Sequence, residues 1–142
     1  MILRQSKVLP GSDPDLRPIA AEREHSMQDR PVITTAIPKR RYHIGDFSAS
    51  LLGEIECTGA RRYRYILAFV QLGHSQPSLY VCAEPAEERG GGMHALRVIN
   101  DVMSEVVDTD DRWGDLDAFA EQGLKLGAQA LGLQQEQVVR LL

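Results

Sequence analysis

The residues that could do chemistry are few and scattered. His74 stands beside Ser75 in "GHSQPS". A Ser–His pair works only where the fold supplies the geometry and a third group orients the base. Adjacency in sequence supplies neither, so the stretch reads as a polar loop. The other histidines, His25, His43 and His94, have no metal-ligand spacing with it or with one another. Neither a Cys-x-x-Cys pair nor a His-Glu-x-x-His motif occurs. The reading therefore assigns no catalytic residue, no metal and no cofactor.

One stretch has the ingredients of an anion site. "RGGGMH", Arg89 to His94, sets glycines before an expected helix start, and helix N-termini favour anions. It is neither a Walker sequence nor Gly-x-Gly-x-x-Gly. The candidate ligand residues are Arg89, Gly91, Gly92 and His94, joined by His74. "DTDDRWGDLD" has the acidic spacing of a calcium loop. However, Arg112 stands at the fifth ligand position and Trp113 where glycine is needed, which excludes an EF-hand.

The elements that must position these residues are clearer. At 142 residues the chain has enough length for one core, and its 43% apolar and 25% charged residues are ordinary for a soluble globular domain. Its formal net charge of -4 argues against non-specific nucleic-acid binding. No apolar run is long enough to span a bilayer and no hydrophobic leader opens the chain, so a cytoplasmic location is expected. Cys57 and Cys82 are expected to be reduced thiols packed like small apolar residues.

Residues 1–30 carry Pro10, Pro14 and Pro18 among polar residues and read as a poorly ordered arm, with 31–142 as a single domain. "PVITTAIP", Pro31 to Pro38, suits an edge strand or extended strap. In "DFSASLLGEIEC" apolar residues fall on alternate positions, the pattern of a strand with one face in a core. Thr58-Gly59-Ala60 reads as a hairpin loop leading to a second strand, Arg61 to Leu72, and Leu79 to Glu84 makes a third. Leu96, Ile99, Met103 and Val106 recur at helical spacing, which predicts a helix over 93–107. A second helix is expected over 116–131, capped by Asp115 and Gly132, and "QQEQVVRLL" would add a last helical turn or two. Gly123 and Gly127 mark its close-packed face. The fold class is therefore α+β: an antiparallel meander of three to four strands followed by two C-terminal helices packed on it.

The basic-aromatic run Arg61-Arg62-Tyr63-Arg64-Tyr65 raises nucleic-acid binding as a possibility, and strand register argues against it. A hairpin turning at Gly59 sets Glu56 against Arg62 and Glu54 against Arg64 on one face. Ile55 then meets Tyr63, Gly53 meets Tyr65, Leu51 meets Leu67 and Ala49 meets Phe69 on the other. The charges are then neutralised locally. Lys39, Arg40, Arg41 and Tyr42 read as a solvated basic loop.

The same register leaves Leu52, Ile66, Ala68, Val70, Tyr80 and Cys82 on the face away from the core, and a wet face would not look like this. A helix, the "PVITTAIP" segment or a second subunit must cover it. The interface candidates are Leu52, Ile66, Ala68, Val70 and Tyr80, with Trp113 as an aromatic anchor beside Arg112. The functional expectation is a non-enzymatic protein–protein association module, a homodimer or an adaptor. The alternative is a small-molecule or anion-binding domain, with or without catalysis, whose site lies near 89–94.

Overall fold

The computed structural model describes residues 29–86 and 92–142. Most of the expected arm, residues 1–28, lies outside them. Seven strands run in the order Ile33–Ile44 (β1), Phe47–Cys57 (β2), Tyr65–Gln71 (β3), Leu79–Pro85 (β4), His94–Ile99 (β5), Ser104–Asp110 (β6) and Val138–Arg140 (β7). A helix, Leu116–Leu131 (α1), stands between β6 and β7. The sheet is antiparallel throughout, in spatial order β6-β5-β4-β3-β2-β1-β7. Six strands thus form a simple meander, and β7 returns after the helix to pair with the end of β1.

The α+β class stands, but with one helix among the described residues and more strands than expected. The helix expected over 93–107 is instead the β5–β6 hairpin. Asn100 makes the turn: its side-chain oxygen accepts from the backbone N–H groups of Val102 and Met103, at 2.9 and 2.8 Å. The extra helical turn expected after Gly132 is replaced by β7.

Helix α1 forms where the caps predict. Asp115 accepts from the Ala118 N–H at 3.0 Å, and Gly132 ends the helix in the left-handed region at φ 72°. Its buried face is Phe119, Ala120, Gly123 and Gly127. These pack on Leu51, Tyr65, Leu67, Phe69, Val81 and their neighbours, which form the larger core. Trp113 is buried in that core too, and its indole N–H donates to Asp108 at 3.0 Å.

The register of β2 with β3 is the one the alternation predicts, including Leu51 with Leu67 and Ala49 with Phe69. It stops at Leu52 with Ile66. Beyond that point the expected pairs do not form, and β3 begins only at Tyr65. Glu54 adopts φ 47°, in the left-handed region, and the strand kinks there. Ile55 and Tyr63 consequently lie on the second face of the sheet, not in the helix-side core. Glu54 pairs with Lys39 of β1 at 2.6 Å, Glu56 accepts from Thr35, and Gly53 lies against the Lys39 stem. Arg64 turns to the Gly114 carbonyl and stacks over Tyr65, while Arg62 is exposed. Both arginines thus avoid the interior, without the expected glutamate partners.

Candidate functional site

The second face of the sheet carries a compact apolar cluster and, at one end, a polar one. The apolar part is Ile66, Ala68, Tyr80, Cys82 and Ile99, of which Ile66, Cys82 and Ile99 are fully buried in the single chain. Ile33 from the "PVITTAIP" segment, Leu52, Ile55 and Tyr63 pack against it. The helix lies on the opposite face. Four of the expected interface residues, Ile66, Ala68, Tyr80 and Trp113, are therefore buried within the chain, while Leu52 and Val70 are half-buried. An interface through them would first need their present cover displaced.

The polar end is built from β4, β5, β6 and the loop after β2. Period two places Cys82 and Glu84 on the same face, and antiparallel pairing sets Arg97 opposite Cys82. Glu84 is only 7% exposed. One of its oxygens, Oε2, accepts from the Arg97 Nε–H at 3.0 Å and lies 3.8 Å from Arg61 Nε. Arg97 also donates to the Ser104 hydroxyl at 3.3 Å, and Arg61 donates to the Asp29 carbonyl at 3.3 Å. A buried carboxylate is tolerable here because two guanidiniums share it.

Burial sets the acidities around this group. The Tyr63 phenol is pushed up to about 12, chiefly by burial and next by the neighbouring Cys82. Burial likewise pushes the Cys82 thiol up, and Glu84 adds to the effect against the opposing Arg97 and Arg61. Cys82 is thus a packed thiol, not a nucleophile at neutral pH.

Beside Glu84 opens a cleft of about 480 Å³ lined by Arg61, Arg62, Arg97, Ala60, Pro85 and Ala86. A second hollow of about 380 Å³ shares Ala60 and Arg61 and continues past Tyr63, Gly59 and Val32. Sequence reasoning did not assemble this cluster. Its three arginines come from the β2–β3 loop and from β5, so no spacing rule connects them.

Of the residues chosen from the sequence as a ligand site, Gly92 and His94 adjoin and His74 stands apart. Arg89 and Gly91 lie outside the described residues. His94 opens β5 rather than a helix, so no helix dipole stands behind it. It pairs opposite Pro85, its Nδ1 is 2.8 Å from the Gly92 carbonyl, and its ring packs on Gly114. His74 is exposed in the β3–β4 turn, at the other end of β4, about 20 Å away by strand rise. In the stretch that reads as a basic loop, Lys39 is paired with Glu54, Arg40 with Asp117, and Tyr42 is buried. Among the described residues no three His, Cys, Asp or Glu side chains converge on a metal site. No described helix is long and apolar enough to cross a membrane.

These features define an α+β domain, a twisted antiparallel sheet with one helix-covered face and a cation-rich cleft on the other. Compared with known proteins, the chain matches no family model, no curated protein sequence and no solved structure.

Proposed function

We propose that the chain is a protein-association module that pairs with a second copy of itself along β7. The observation that carries this reading is the contrast between the sheet's edges. Exposed edge strands invite pairing, and proteins guard them with charge, proline and bulges. The β6 edge has Glu105, Asp108 and Asp110, and a register shift next to Val106. The open part of β1 has Pro38 and Lys39, and three register shifts. The β7 edge has a single charge, Arg140, and neither proline nor register shift.

Both edges expose aliphatics, Val106 and Val107 among the acidic residues of β6 and a longer run at β7. Val138, Val139, Leu141 and Leu142 are all exposed, Val139 at 45% and Leu142 at 62%. Leu141 continues the line of the strand by donating to the Arg41 carbonyl at 2.7 Å. A groove of about 300 Å³ beside it is lined by Ile44, Leu124, Ala128, Leu133 and Val138. Antiparallel pairing of two β7 strands about Val139 sets each Val139 against its copy and each Val138 against Arg140, an isologous contact with no like charges opposed. It keeps both α1 helices on one side of a continuous sheet.

Light scattering at micromolar concentration tests the reading. The unmodified chain is expected at twice its monomer mass and Val139→Lys at the monomer mass. Val107→Lys, on the guarded β6 edge, is expected to leave the dimer intact. A monomeric unmodified chain would overturn the reading.

A further inference from the structure

We propose that the cleft formed by Arg61, Arg62 and Arg97 binds the phosphate group of a small phosphate monoester. The inference is independent of self-association. The described lining carries three guanidiniums and one carboxylate, a surplus of two positive charges, which matches a phosphate monoester near neutral pH.

Glu84 arranges the donors. By holding Arg97 and Arg61 through one oxygen, it sets two guanidiniums side by side with Nε turned toward the carboxylate. Nη1 of each is also engaged, on Ser104 and on the Asp29 carbonyl. Nη2 of Arg97 and the donors of the exposed Arg62 side chain have no partner among the described residues, and the Arg61 guanidinium also lies beside the Tyr63 hydroxyl. Planar guanidinium forks of this kind match phosphate oxygens, whereas a lysine would supply only a point charge. The adjoining hollow also carries Asp29 and Arg30, and its Val32, Gly59 and Tyr63 side suits the uncharged body of the ligand. The cleft volume of about 480 Å³ is that of a small-molecule site.

The test is calorimetric titration of the full chain with inorganic phosphate, phenyl phosphate and benzoate at low salt. Phenyl phosphate is expected to bind saturably and more tightly than inorganic phosphate, because its ring reaches the second hollow. Benzoate, with one charge, is expected to bind more weakly than either. Arg62→Ala removes an exposed side chain and is expected to weaken phenyl phosphate about tenfold while leaving the melting temperature unchanged. Arg140→Ala, on the far edge of the sheet, is expected to leave affinity unchanged. Absence of saturable phosphate binding, or affinity undiminished in Arg62→Ala, would overturn the proposal.

Discussion

Gly127 of α1 lies directly on the ring of Phe69 in β3, with no room between them for a β-carbon. One turn earlier Gly123 meets Leu67 of the same strand, where a β-carbon would sit 3.0 Å from Cδ2. The helix can approach the sheet this closely only because both positions lack side chains. Gly127→Ala should therefore cost about 1–3 kcal/mol by overpacking, despite a helix-propensity gain of about 1 kcal/mol. Gly123→Ala should cost distinctly less, since one methyl group can shift. Urea unfolding of the two variants checks the order.

Glu84 should behave as a structural charge. Replacing it with alanine leaves two partly buried guanidiniums facing each other without their shared carboxylate. Side-chain exposure is 10% for Glu84 and 19% for Arg97, so screening is limited. A loss of order 3 kcal/mol in chemical denaturation is expected. Glu84→Gln should recover part of it by accepting one of the hydrogen bonds.

Alkaline conditions should loosen the second face. The Tyr63 phenol titrates near 12 in the folded chain against an ordinary 10.0, and Tyr80 and Cys82 are raised in the same direction. A folded value above the unfolded one means that these groups lose no stability below the unfolded value. As pH rises through it toward the folded one, the unfolded chain sheds its protons first and stability falls. Melting temperature should therefore decline as pH rises from about 9, where the unfolded Cys82 thiol ionises, toward 12, and Tyr63→Phe should make the decline above about pH 10 shallower.

The two thiols should differ sharply. Cys57 is half-buried and lies 3.2 Å from the Arg61 carbonyl, while Cys82 is fully buried with its thiol form favoured. A disulfide-exchange reagent should label Cys57 in the native chain and Cys82 only on unfolding. Prompt labelling of both would contradict the packed second face.

Much of the sheet was legible because period two is unambiguous where one face is apolar and the other mixed, as in Phe47 to Leu52. The apolar second face was legible for the same reason, since Ile66, Ala68, Tyr80 and Cys82 follow from the parity of Leu67 and Val81. The hairpin end was not. Its course depends on the left-handed turn at Glu54, a conformation glutamate rarely adopts and sequence gives no reason to expect. The β5–β6 hairpin was misread because Leu96, Ile99, Met103 and Val106 satisfy a helical stripe by chance. Val98 falls off that stripe, and the β-branching of Val98, Val102, Val106 and Val107 together with Asn100-Asp101 is strand and turn chemistry. The arginine cleft was invisible for a different reason. Arg61 and Arg97 meet only through Glu84, and that meeting depends on β5 pairing with β4.

Self-association along β7 is tested most directly by its register. With Cys57 replaced by serine, Val139→Cys places one accessible thiol opposite its own copy, at the strand-pair separation a disulfide tolerates. Mild oxidation is predicted to give a covalent dimer from Val139→Cys and none from Val107→Cys. No cross-link at Val139→Cys, or equal cross-linking at both positions, would contradict the account.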